Sequence, residues 1–180
     1  MPERRLPGKC PPKAPPTCVI TDTQSVNNAA PATGAPAGFG AGKLVKGRKR
    51  LVRIDTLGNA LARRAVPAHV SGAAAAAAFW DEVAAAHPLL AQVPVVVGDS
   101  PFAGLFAEHL AHRYGARFEK PVHSVLKKKT CCIHKKRWLI ERTLAGLSAN
   151  RRLSKEYDRL LMRASAWIMR ANIRRILKFC

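Results

Sequence analysis

The run VPVVVGDS, residues 93–100, is almost wholly apolar until it reaches Asp99. A β-branched stretch of that kind has no wet face, so it belongs inside a sheet whose surfaces are covered. A second β-branched run, TCVIT (17–21), ends at Asp22 and reads as another buried strand. Helices are the cover the sequence offers. SGAAAAAAFWDEVAAAH (71–87) is helical by alanine propensity, with Phe79 and Val83 on one face and Pro88 helping to end it. AGLFAEHLAHRYG (103–115) is a second amphipathic helix, closed by Gly115.

The remaining elements follow the same logic. GKLVKGRKRLVRIDTLGNALARRAVPA reads as a β-hairpin, residues 49–54 returning as 60–66 through the Gly-Asn turn signal. ARFEKPV supplies one more short strand. A helix surrounds Glu141, and a last one is expected from about Ser154, with Tyr157, Leu160, Leu161, Ala164, Ile168 and Ala171 at helical spacing. Residues 1–16 hold six of the thirteen prolines and read as an extended arm ahead of a domain at 17–180. The order predicts an α/β fold, a mixed sheet flanked by helices. In such sheets functional groups gather where strands end.

Charge narrows the partner. The formal net charge is +20, unevenly spread. Residues 61–119 carry 4 Lys+Arg against 5 Asp+Glu, whereas 120–180 carry 17 against 3. A neutral middle with basic flanks predicts a globular core presenting basic surface to a polyanion, most simply nucleic acid, with anionic membrane the weaker alternative. No stretch approaches the roughly 20 apolar residues of a membrane span, and the N-terminus lacks the apolar core of a secretory signal. Five cysteines with no CxxC spacing point to neither a disulfide framework nor a zinc site, which fits a reducing cytoplasm. Adjacent Cys131 and Cys132 with His134 make a poor tetrahedral set. GFGAGKL lacks the first glycine and the Ser/Thr of a phosphate loop, and His69 reads as a loop residue.

With only 11 acids, their positions carry information. Asp22 and Asp99 each follow an apolar strand. Asp55 sits at the hairpin turn, where aspartate commonly bonds its own backbone. Glu141 borders the apolar stripe formed by Ile140, Leu144 and Leu147, one turn after Arg137. The plain reading of Glu141 is an ion pair with Arg137 along the helix. The sharper one is a carboxylate over an open patch beside small Ala145 and Ser148. Carboxylates converging in one pocket repel unless a cation neutralises them, and hard divalent ions prefer such oxygens.

Four segments carry a resemblance. VITDTQSV, GKLVKGRKRLVRIDTLG, VVVGDSPFAG and RWLIERTLAGLSANRRLSKEYDRL follow, in order, motifs of the DDE transposases of bacterial insertion sequences. The match spans about residues 18 to 175, and the last segment, with Trp138, Glu141-Arg142-Thr143 and Arg151-Arg152-Leu153-Ser154-Lys155, is the most specific. The resemblance implies an RNase H-like fold, Mg²⁺ or Mn²⁺, and DNA strand cleavage and transfer at element ends. It implies Asp22, Asp99 and Glu141 as the catalytic, metal-holding acids, with Arg137 as the family's helix arginine. DNA would be held by Lys46, Arg48, Lys49, Lys127, Lys128, Lys129, Lys135, Lys136, Arg137, Arg142, Arg151, Arg152 and Lys155.

The chain also departs from the family pattern. Ser100, Pro101 and Phe102 stand where Gly and Tyr usually follow the second Asp, Asn27 replaces a common lysine, and His134 an aromatic. Full members carry a helical region before the first Asp, where this sequence has the proline-rich arm. The expectation is a truncated transposase or one joined to a separate N-terminal part, self-associating and acting on the nucleoid. The rival expectation is a non-catalytic, basic DNA-binding remnant.

If the lysine run contacts backbone phosphates, affinity for random duplex DNA falls log-linearly with salt, by about −0.9 per phosphate neutralised. Replacing Lys127, Lys128 and Lys129 with alanine should flatten that slope by up to about three units in an anisotropy titration. An unchanged slope would mean that DNA is held elsewhere.

Overall fold

The computed structural model describes residues 16–29, 37–121 and 135–177. The arm, Lys127 to Lys129, and the Cys131, Cys132 and His134 group lie outside those residues. Strands β1 (Val19–Asn27), β2 (Gly38–Gly40), β3 (Val45–Ile54) and β4 (Ala60–Pro67) precede helices α1 (Gly72–Ala86) and α2 (Pro88–Ala91). Strand β5 (Val95–Gly98), helix α3 (Leu105–Tyr114) and strand β6 (Arg117–Glu119) follow, then helices α4 (Lys135–Ser148) and α5 (Leu161–Leu177). All six strands join one sheet. β1 is central, antiparallel to β3 and parallel to β5. β4 continues the sheet beyond β3, β6 beyond β5, and short β2 pairs the start of β3.

Period-two alternation sends residues of each strand to two separate cores. Val19, Leu51 and Val96 pack on one face against Phe79, Trp80, Phe106 and Leu110 of α1 and α3. Ile20, Val52, Ile54 and Val97 pack on the other face against Ile140, Leu144, Leu147 and Ile168 of α4 and α5. The hairpin expected between 49 and 66 is present, and its turn is held by Asp55. That carboxylate accepts the backbone N–H groups of Leu57 and Asn59, both at 2.8 Å, and the Asn59 amide at 3.0 Å. Gly58 adopts φ +87°, the left-handed region where a side chain is strained.

Two elements differ from expectation. β1 does not stop at Asp22 but runs on to Asn27, because β3 supplies a partner out to Gly47. Residues 154–160 are not the start of the last helix, which begins at Leu161. Glu156 draws that segment into an extended bridge with β1, donating its N–H to the Asn27 carbonyl at 2.9 Å and accepting the Ala29 N–H at 2.7 Å.

The pull on Glu156 comes from β3. Arg48, Arg50 and Glu156 are all buried, at 0%, 2% and 1% exposure. Glu156 lies 3.7 Å from Arg48 and 3.4 Å from Arg50. Arg48 also donates to the Arg159 carbonyl at 2.6 Å and Arg50 to the Leu153 carbonyl at 2.7 Å. Removing the carboxylate leaves two buried guanidiniums without their counter-charge, a loss of about 3–5 kcal/mol for a broken buried pair. Glu156→Ala should therefore lower the urea unfolding free energy by about that amount. A loss below about 1 kcal/mol would show that the pair is not a structural tie.

Candidate active site

The parallel pairing of β1 and β5 ends at Thr21 and Gly98, so Asp22 and Asp99 are the next residues along each strand. Ile20 and Val97, two residues earlier, both point into the α4 and α5 core. By alternation Asp22 and Asp99 share that face. The close approach needs glycine at 98, where an added Cβ would meet the Thr21 methyl at 2.9 Å and the Phe118 ring at 3.2 Å. Pro101 does not turn Asp99 away. It fits the 3-10 turn Ser100–Phe102, whose Phe102 is buried and donates its N–H to the Asp99 carbonyl at 3.0 Å.

Asp22 is half-buried, and its Oδ1 accepts the Thr23 N–H at 2.6 Å. Burial pushes its carboxyl up to about 6, and the charge of Asp99 adds to the rise, against the Thr23 hydrogen bond, Lys43 and Arg137. The two acids are thus close enough to feel each other in a partly dry site.

Glu141 reaches the same region from α4. Its Oε1 accepts a hydrogen bond from Arg137 Nε at 2.8 Å, and more than half its side chain is exposed. That ion pair is the plain reading of the sequence, and it is real. Arg137 does more than pair along the helix, because Asp99 and Asp22 also favour its charged form after Glu141 does. One guanidinium therefore lies within electrostatic reach of all three acids. A pocket of about 120 Å³ opens beside it, walled by Asp99, Ser100, Pro101, Lys120, Pro121 and Arg137. Gln24, two residues beyond Asp22, donates to Ser148 of α4 at 2.8 Å and braces the helix against β1.

The donors suit a hard divalent cation. Asp22 and Asp99 present carboxylate oxygens on one face, and a cation there would offset both the burial that raises the Asp22 carboxyl and the smaller effect of the Asp99 charge. Glu141 is held by Arg137 instead. Among the described residues, no three His, Cys, Asp or Glu side chains converge as a metal-holding group.

The basic residues expected to hold DNA fall into several environments. Arg48 is a correction: it is fully buried against Glu156, because a guanidinium in mid-strand on the covered face must be paired rather than solvated. Lys49 is half-buried, donating to the Val70 carbonyl at 2.6 Å. Lys46, Arg151 and Lys155 are exposed. Lys136 is exposed beside Glu119 at 3.0 Å, and Arg152 pairs with Asp158 at 3.3 Å. Arg142 lies over the Trp138 ring, 4.7 Å from its centroid. Lys43 and Lys120, which border the acids, were not singled out from the sequence. The signal for Lys120 is topological: it follows β6, whose end lies beside that of β5 in a parallel pair.

The fold and the paired acids define a class. The chain has the RNase H-like architecture, and among solved structures it is similar to the catalytic core domain of BIV integrase. That likeness has a TM-score of 0.55 at 12% identity over 87% of this chain and 81% of the other. Residues 13–173 match the family model of the transposase DDE domain, so the chain belongs to that family. Comparison with curated proteins gave no match. Membership places the chain in DNA transposition in general, in a class that acts on DNA and depends on divalent metal. No helix among the described residues is long and apolar enough to cross a membrane.

Because the folded-state carboxyl of Asp22 is raised from 3.8 to about 6, its contribution to stability is full below 3.8 and lost as pH rises through about 6. Asp22→Asn has no such loss. Its unfolding free energy relative to the unsubstituted protein should therefore rise between those two pH values, read from denaturant melts without divalent ions. A pH-independent difference would contradict the crowded-carboxylate geometry.

Proposed function

We propose that the chain cleaves and transfers DNA strands at insertion-sequence ends, with Mg²⁺ or Mn²⁺ held by Asp22, Asp99 and Glu141. The observation that carries this reading is the pairing of Asp22 and Asp99 on one face of the sheet, within reach of the α4 guanidinium that binds Glu141. Bound there, divalent ions activate an attacking oxygen and stabilise the leaving oxygen of a phosphodiester. The protein groups supply position. Asp22 is set by its place in β1 and Asp99 by the turn that follows β5. Glu141 joins them by exchanging Arg137, and the freed guanidinium, with Lys120 across the pocket, then steadies the phosphate beside Asp99.

DNA approaches over the basic rim of that face. Lys46, Lys136, Arg151, Arg152 and Lys155 belong to this reading, as do Lys127, Lys128, Lys129 and Lys135. Their contacts are to phosphates and position the duplex without reading its bases. The work is done in the cytoplasm, on nucleoid DNA.

A second reading is that of a non-catalytic DNA-binding remnant, favoured by the engagement of Glu141 with Arg137. The two separate cleanly. A working site cuts duplex DNA carrying element ends only with Mg²⁺ or Mn²⁺ present. Asp99→Asn should then lower cleavage by more than the roughly 10–100-fold typical of a metal ligand's outer partners, with its melting curve intact. Mn²⁺ should also raise the melting temperature by mass action in the unsubstituted protein and not in Asp99→Asn. Cleavage that survives Asp99→Asn would overturn the assignment, and absence of both cleavage and Mn²⁺ stabilisation would favour the remnant.

A further inference from the structure

A cavity larger than the one beside the acids lies elsewhere in the molecule. It holds about 640 Å³ and opens between the hairpin turn (Leu57, Asn59), α4 and the residues just after it (Arg142, Asn150) and the last turns of α5 (Arg174, Arg175). Glu141 and Arg142 are consecutive on α4, so their side chains leave the helix about 100° apart. The cavity therefore lies on a different face of the helix from the acids, and one phosphate cannot occupy both places.

We infer that this cleft is a second anion-binding site that grips the phosphodiester backbone of DNA. Three guanidiniums line it, and no aspartate or glutamate does. Asp55 stands nearby, but both its oxygens are occupied by the hairpin turn. Burial first, then the charge of Arg142, disfavours the cationic form of Arg175, against the smaller pull of Asp55. An anion in the cleft relieves that repulsion.

The arginines are also pre-set. Arg175 is fixed by donating to the Gly58 carbonyl and to Thr143 Oγ1 at 3.2 Å, while its Nε is buried with no acceptor. Arg142 is laid flat over Trp138. Arg174 is exposed at the rim. Space for the ligand comes from small residues, Gly146 and Ala149, in the cavity wall. Planar guanidiniums on two helices suit successive phosphates of one strand better than a single small ion.

The inference rests on the reading of the chain as DNA-acting, but not on its acids. The test is anisotropy of a labelled random-sequence duplex of about 30 base pairs, in EDTA so that no metal contributes. The double variant Arg142→Glu/Arg174→Glu removes two phosphate contacts. Its affinity should fall at least about tenfold, and its log K against log salt slope should be shallower by about two. The charge-matched control Arg64→Glu/Arg113→Glu, on the α1 and α3 side of the sheet, should keep the original slope and affinity within about twofold. Ala149→Glu, which leaves every arginine in place, should also weaken binding. Melting curves confirm that each variant is folded. Wild-type binding by the double variant and by Ala149→Glu overturns the inference, as does an equal loss in the control, which would mean that net charge alone matters. The two readings fail separately: the catalytic one by cleavage that survives Asp99→Asn in the metal-dependent assay, the cleft by unchanged binding of the cleft variants in EDTA.

Discussion

Three residue pairs between β1 and β5, ending at Thr21 and Gly98, set the condition that the rest of this molecule answers. Parallel register brings the next two residues, both aspartates, to the same face at the point where the pairing stops. The site is half-buried, so their repulsion is not quenched by water. Some cation has to face them. In the structure that duty is shared by Lys43 and Arg137, and Arg137 is simultaneously paired with Glu141. The carboxylates and the arginine form one electrostatic unit whose neutralising partner can change. That is the physical basis for reading Arg137 as a placeholder and not merely as a helix-surface ion pair.

The high positive charge has two roles that composition alone merges. Part of it is inside. Arg48 and Arg50 share a strand face with Val52 and Ile54, and Glu156 is their buried counter-ion. Arg53, on the opposite face, is buried 4.4 Å from the Phe79 ring centroid and 4.7 Å from that of Trp80. It donates to the Ala76 carbonyl at 2.7 Å, and burial lowers its guanidinium to about 9. Charge of this kind organises the sheet and its connections. Among the described residues, exposed positive charge lies on α4, on the 151–155 segment and on the later turns of α5, among other places.

The sequence exposed the architecture where burial was written as apolarity. VPVVV, the alanine-rich helix and the Asp-Thr-Leu-Gly-Asn turn have local signals strong enough to survive tertiary context, and all three are where their residues predict. The length of β1 was hidden because its β-branched run stops at Thr21, although β3 pairs on through Gln24 and Ser25. Residues 154–160 misread as helix because Tyr157 and Leu160 fit the spacing, while the force that extends them, two arginines 100 residues earlier, is invisible to local pattern. Arg48 misled for a related reason: arginine is expected at the surface, and only a buried glutamate makes the interior tolerable. The acids were legible through motif, since a lone aspartate after a strand says little by itself. What brings them together is a register, and a register is not written in any one segment.

The most direct test of the account is a crystal structure of the protein soaked with Mn²⁺, with anomalous scattering data collected to locate the ion. The account predicts anomalous density between Asp22 and Asp99, with Glu141 released from Arg137 and turned toward the ion. A structure in which Arg137 still holds Glu141 at about 2.8 Å, with no anomalous density at the aspartates, would contradict it.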